Sequence, residues 1–205
     1  MKHAFAIIVL LTVMPLKGQN DTTHIPYAPM VGGTLVATGA VFTFTPLHSS
    51  VAIDVRDAVV AQGWTPIDVD DDLQFLPAVT PLALSVCGLK GRHGTGKMTL
   101  MTGAVMLSSM GIIHAMKPLF GIRRPDGDGM NSFPSGHTYM AFAGAELLRK
   151  EYGSDYPWMA IAGYTIATLV GLMRVRNNRH WVGDVLAGAG LGILTTDLVY
   201  WVIDK

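Results

Sequence analysis

The sequence predicts an all-α bundle of about five to six helices, integral to a membrane. Two observations carry that expectation. Charged residues make up only 15% of the 205-residue chain while apolar residues reach 50%, and the mean hydropathy is +0.37; soluble domains carry about 25% charge. Long uncharged runs then recur at 73–89, 98–116, 156–173 and, broken by Asp197, 185–203. Runs of this length sit at the lower edge of the roughly 17–25 residues that span a bilayer as helix. The same composition excludes a disordered tail, a coiled coil and a highly charged nucleic-acid binder. With 15 basic and 15 acidic residues there is no overall field to draw in a polyanion. A single cysteine, Cys87, excludes an intramolecular disulfide and a thiolate metal cluster.

Taken in order, Lys2 and His3 precede an apolar or neutral run, Ala4 to Met14, that Pro15 ends. This is the layout of a secretory signal peptide or short N-terminal anchor over 1–18, after which the chain begins outside the cytoplasm. Residues 19–72 are expected to form a periplasmic segment and 73–205 the helical bundle. Within the first of these, the uncharged stretch 30–46 is expected to lie peripherally or partly inserted. A crossing there would turn the polar motifs described below toward the cytoplasm. VAIDVRDAVVA (51–61) has a helical apolar period with Asp54, Arg56 and Asp57 opposite, an amphipathic helix. Asp68, Asp70, Asp71 and Asp72 lack the Gly and distal Glu of a calcium loop and are expected as N-cap and first-turn acids. A shorter apolar stretch, 138–145, continues to Leu148 across Glu146. Small residues at four-residue spacing (Gly163, Ala167, Gly171; Gly188, Gly192) suit close helix approach.

Three polar segments interrupt the apolar chain at helix boundaries. They are Lys117 to Pro125 (KPLFGIRRP), Pro134 to His137 (PSGH), and Arg174, His180 and Asp184 at intervals of six and four. Six basic residues fall in the first and third: Lys117, Arg123, Arg124, Arg174, Arg176 and Arg179. Singly, each piece has an ordinary structural role: a C-terminal helix cation, a helix entry capped by Ser135, a surface His–Asp pair. Together they suit an anion. Lys117, Arg124 and Arg174 supply three cations, two with the planar fork that matches phosphate oxygens. Backbone N–H groups around Ser135 and Gly136 open a helix N-terminus, a ready anion site. His180 is a candidate nucleophile, with Asp184 one turn on to fix its tautomer, and His137 a candidate general acid. No carboxylate cluster flanks these motifs in the sequence, so no metal is expected.

The three segments resemble the K-x6-RP, PSGH and SR-x5-H-x3-D signature of the type 2 phosphatidic acid phosphatase (PAP2) superfamily, over roughly 98–203. That superfamily includes membrane lipid phosphatases, soluble class A acid phosphatases and vanadium haloperoxidases. Met173 stands where the signature has Ser. The resemblance, in particular to small bacterial lipid A phosphatases, implies a PAP2-type membrane bundle whose site faces the periplasm. It also implies a phosphatase with no cofactor that works through a phosphohistidine at His180. The implied substrate is a lipid phosphate such as phosphatidic acid, a polyprenyl diphosphate or lipid A phosphate. A soluble periplasmic acid phosphatase acting on a small phosphomonoester is the alternative, and a vanadate-dependent haloperoxidase a third.

Overall fold

The protein is described by a computed structural model over residues 27–204, so the signal or anchor segment expected over 1–18 lies outside the described residues. The helices are α1 (Tyr27–Phe44), a π-helical turn (His48–Ala52) leading into α2 (Ile53–Val60), α3 (Asp70–Leu73), α4 (Leu76–Val86), α5 (Thr95–Phe120), α6 (Gly136–Tyr152), α7 (Pro157–Arg176) and α8 (Val182–Ile203). No strand occurs among the described residues. The apolar runs become α4, α5, α7 and α8, and the amphipathic segment becomes α2.

Four helices, α1, α5, α7 and α8, are long and apolar enough to cross a membrane. Their outward faces carry Leu100, Leu107, Met110, Ile161, Leu169 and Leu198, all exposed. In water such a surface would be costly; against lipid chains it is not. The helix α6 differs, being wrapped by the others with most of its residues buried.

Helix packing follows the small residues. Gly144 of α6 faces Ala78 of α4, and Gly192 of α8 faces Tyr139 and Ala143 of α6. On α1, Gly32 lies against Leu194 and Gly190, and Gly39 against Ala187 and Gly183, so α1 runs antiparallel along α8. This corrects the expectation for 30–46: the segment is not peripheral but a full-length helix in the body of the bundle. The reason is steric, since the absence of side chains at Gly32 and Gly39 lets two backbones come together. Tyr27 and the phosphate-type motifs consequently lie at opposite ends of the molecule.

At the end away from the motifs, polar groups tie the helices. Glu151 of α6 accepts from the His93 backbone N–H (3.1 Å) and from Tyr200 Oη (2.5 Å), and its carboxylate meets His93 Nδ1 at 2.8 Å. His93 Nε2 in turn meets Asp204 at 2.9 Å, and Lys97 donates to the same carboxylate.

The two faces of α1 make a paired prediction. A Cβ on Gly39 would fall 2.5 Å from the backbone nitrogen of Ala187, whereas one on Gly33 meets nothing within 4 Å. Both substitutions gain the same helix propensity, about 1 kcal/mol. Gly39→Ala should nevertheless lower the melting temperature in detergent through overpacking worth roughly 1–3 kcal/mol, while Gly33→Ala leaves it unchanged or raises it.

Candidate active site

The motif end is assembled around the loop between α7 and α8. His180 there is 2% exposed. Its Nδ1 faces the carboxylate of Asp184 at 3.6 Å and Ser132 Oγ at 3.5 Å, which leaves Nε2 as the ring nitrogen pointing away from them. Asp184, in the first turn of α8, is itself held: Oδ2 accepts from Ser132 Oγ (2.5 Å) and from the Trp181 backbone N–H (2.9 Å). Its other oxygen, Oδ1, is buried with no hydrogen-bond partner among the described residues. Burial pushes the His180 imidazole below its ordinary value; Asp184 opposes this, and Arg174 and Arg124 reinforce it. Burial thus favours the neutral ring, and with its proton on Nδ1 toward Asp184 the lone pair is on Nε2.

The PSGH segment is locked onto this loop. Ser135 donates its backbone N–H to the Asp184 carbonyl (3.0 Å), and Gly188 allows the approach, since a Cβ there would lie 2.5 Å from the Ser135 carbonyl oxygen. Two details differ from the sequence reading. Ser135 sits at the N-cap position with extended backbone, but its hydroxyl pairs with Thr138 Oγ1 (2.9 Å) and caps no backbone N–H. Its own N–H is spent on Asp184, so the orphan donors of this helix start are those of Gly136, His137 and Thr138.

Of the six clustered basic residues, the structure brings three together. Lys117 lies within electrostatic reach of Arg124, Arg174 and Asp184, and both arginines lie within reach of His180. Lys117 Nζ sits over the α6 entry, 4.0 Å from where a Gly136 side chain would begin. Nε of Arg124 and Nε of Arg174 are buried and have no hydrogen-bond partner among the described residues. Arg179 and Arg176 are used elsewhere: Arg179 pairs with Asp126 (3.2 Å), and Arg176 donates to the Thr65 carbonyl and covers the Trp64 ring. Met173, half-buried, precedes Arg174 at the end of α7. Phe44, Phe120 and Phe133 stack with centroids 5.0–5.4 Å apart and hold the ends of α1 and α5 against the PSGH approach.

The sequence reading missed three participants. Ser132 had no motif to mark it. Asp70 and Asp71 are first-turn acids of the short helix α3, but Val69 rather than an aspartate holds its N-cap position, and the side chains of Asp70 and Asp71 go to the site. Asp70, fully buried, accepts from Arg174 (2.6 Å) and from Asn177 Nδ2 (3.1 Å); Asp71 Oδ1 meets His137 Nε2 at 2.7 Å and Arg174 at 3.4 Å. The expectation that no carboxylates flank the motifs is thereby corrected: two arrive from more than 60 residues upstream. Asp70, Asp71 and His137 bring ligand-type atoms within 4.8 Å of one another. Arg174 already occupies the cation position, however, and both Asp70 oxygens are engaged. The set fits a guanidinium better than a metal ion.

An apolar helical bundle with Lys117, Arg124, Arg174 and a buried histidine gathered at one end defines a membrane protein with a polar, cationic end. Residues 125–205 match the family described as the PAP2 superfamily. It is similar to a "Lipid A 1-phosphatase" of Porphyromonas gingivalis, 46% identical over 137 residues that cover 66% of this chain and 31% of that protein. It is also similar to "Probable diacylglycerol pyrophosphate phosphatase 1" of Schizosaccharomyces pombe, 32% identical over 36% of this chain and 30% of that one. The chain thus spans about a third of the length of these curated relatives. Among solved structures it shares the fold of a transmembrane PAP2-type phosphatidylglycerolphosphate phosphatase from Bacillus subtilis. That match has a TM-score of 0.60 and 24% identity, and covers 87% of this chain and 97% of that one.

The electrostatics make a spectroscopic prediction. Asp184 raises the His180 pKa against the effects of burial and the two arginines, so Asp184→Asn should move it further down and Arg124→Ala should move it up. Titration of ring-labelled histidine by NMR reads both shifts, and His180→Ala identifies the resonance by the signal it removes.

Proposed function

We propose that the protein is a membrane-bound, metal-independent phosphatase of a lipid phosphate, acting through a phosphohistidine at His180. The observation that carries this reading is the pair of buried guanidinium Nε donors, on Arg124 and Arg174, without hydrogen-bond partners among the described residues, at the same end as a buried His180 whose Nδ1 faces a carboxylate. Protein interiors rarely leave such donors unspent, and a phosphoryl group would take them up together with Lys117 and the first N–H groups of α6.

In this reading His180 Nε2 attacks phosphorus in line while Lys117, Arg124 and Arg174 neutralise the equatorial oxygens, the task Mg²⁺ has in other phosphoryl-transfer sites. Asp184 stabilises the imidazolium character that develops. His137 protonates the departing oxygen and then, as base, activates the water that releases phosphate. The likeness to the Porphyromonas protein places a lipid A phosphate first among substrates to be tried, with phosphatidic acid and a polyprenyl diphosphate beside it. The exposed apolar girdle favours a lipid over a soluble ester. We take the motif end to face the periplasm; with α1 crossing, Tyr27 then lies at the cytoplasmic end, as do Lys90, Arg92, Arg149 and Lys150, in line with the positive-inside tendency, and this reading gives up the expectation that the chain emerges outside the cytoplasm after residue 18.

Activity in detergent should persist in excess EDTA; loss on chelation and recovery with Mg²⁺ would overturn the metal-free mechanism. His180→Ala should be inactive on every substrate. Arg174→Ala should lose on the order of 10²–10³-fold, as single oxyanion donors do, together with inhibition by orthovanadate. An Arg174→Ala enzyme of unchanged efficiency and vanadate sensitivity would remove Arg174 from the site. Cysteine labelling of the α3 region from either side of the membrane reads the orientation.

A further inference from the structure

We propose that Asp71 is the positioning residue of His137, so that each histidine of the site is oriented by its own carboxylate from a different part of the chain. This rests on the phosphatase reading and adds to it a residue outside the motifs.

The geometry is reciprocal to that at His180. There Nδ1 faces Asp184 and Nε2 is left for phosphorus. At His137, Nε2 is bound to Asp71 at 2.7 Å, and Nδ1 makes no hydrogen bond among the described residues, which leaves it for the leaving oxygen. Although the Asp71 side chain is 57% exposed, its backbone is held in place. Gln74 Nε2 donates to the Asp71 carbonyl (2.7 Å), and neighbouring Asp70 is clamped by Arg174 and Asn177. Asn177 also exchanges two hydrogen bonds with the backbone of Ile67 (2.8 and 3.2 Å), lacing the whole strap to the end of α7. An exposed carboxylate on a clamped backbone adds little to stability, yet this one is aimed at the ring.

The charges around His137 give the contact its use. Asp70 and Asp71 face it from α3 and Arg174 from α7, while Lys117 of α5 stands beside the adjacent Gly136. Burial and Arg174 push the imidazole down to about 4, and the bond to Asp71 is the strongest influence restoring it. In the first step the His180 Nε2–P bond forms and the P–O bond breaks. The electron pair stays on the leaving oxygen, which takes the Nδ1 proton of the His137 imidazolium, the minor form that the Asp71 contact favours, and the neutral ring keeps its Nε2–H on Asp71. In the second step a water oxygen bonds to phosphorus, its proton passes to Nδ1, and the P–N bond breaks.

The test compares wild type, Asp71→Asn, Asp71→Glu, His137→Ala and the Asp71→Asn/His137→Ala double variant in detergent. The substrates are phosphatidic acid, a poor leaving group, and nitrophenyl phosphate, a good one, under single turnover. Asp71→Asn should lose roughly 10–10²-fold on phosphatidic acid, a share of what positioned proton transfer supplies, and little on nitrophenyl phosphate. Asp71→Glu should recover part of the loss, and Asp71→Asn should cost nothing more once His137 is Ala. Equal loss on both substrates, or a further loss in the double variant, overturns the proposal. So does a lower KM at unchanged kcat, which would make Asp71 a competitor for the phosphate position. If wild type hydrolyses neither ester, nor a lipid A phosphate nor a polyprenyl diphosphate, the phosphatase reading itself fails. The His137 ring titration then still decides the pairing, since Asp71→Asn must lower its pKa and an unmoved pKa overturns the proposal.

Discussion

Gathering Lys117, Arg124 and Arg174 at one end of an apolar bundle is the constraint on which the rest of this structure depends. Two unit charges about 4 Å apart repel by roughly 4 kcal/mol at the effective dielectric of a protein surface, and more when buried. Left uncompensated, the three cations would spread the helix ends that carry them. Asp70 and Asp184, both fully buried, supply the opposite charge. Asp70 takes Arg174 directly, while Asp184 lies behind His180 and within reach of the cluster. Deleting one partner of such a buried pair typically costs about 3–5 kcal/mol, so the strap that bears Asp70 and the end of α7 depend on each other.

Charge compensation at these distances requires backbones that come close together, and glycine provides the approach. Gly188 lets α8 meet the carbonyl of Ser135, and Gly171 lets α7 meet Thr138. Through these contacts the PSGH entry, the His180 loop and the Arg174 end share one set of fixed positions. Trp181 adds a hydrogen bond to the Arg123 carbonyl (2.8 Å), joining the loop to the segment that carries Arg124. The opposite end is fastened by the Glu151, His93, Asp204 and Tyr200 network, so the helices are held at both ends and the site does not have to maintain the bundle alone.

The buried Nε donors of Arg124 and Arg174 and Asp184 Oδ1 lack a hydrogen-bond partner among the described residues, as do Thr43 Oγ1, His48 Nδ1, Arg56 Nε and Ser109 Oγ elsewhere. Incomplete satisfaction in an otherwise well-paired polar cluster is a common property of sites that wait for a ligand. On the proposed reading the motif end lies at the end of the exposed apolar girdle, where a headgroup phosphate and its chains would find matching surroundings.

The amino-acid sequence by itself determined the helices and the motif residues. Uncharged runs and spacings of a few residues are local quantities, and they located α4, α5, α7 and α8 and the constellation from Lys117 to Asp184. The tertiary structure alone decided which side chains meet. The stretch 30–46 looked peripheral when argued from charge parity; its place along α8 follows from Gly32 and Gly39 facing Gly190 and Ala187, a match no local pattern displays. Asp70 and Asp71 were correctly legible as first-turn acids, but their partners lie 104 and 66 residues away in the chain. Ser132 carried no signal at all. Periodicity reports the face a residue presents and spacing reports its neighbours on one helix. Pairing across such separations depends on how closely several helices pack, and only the packed bundle sets that distance.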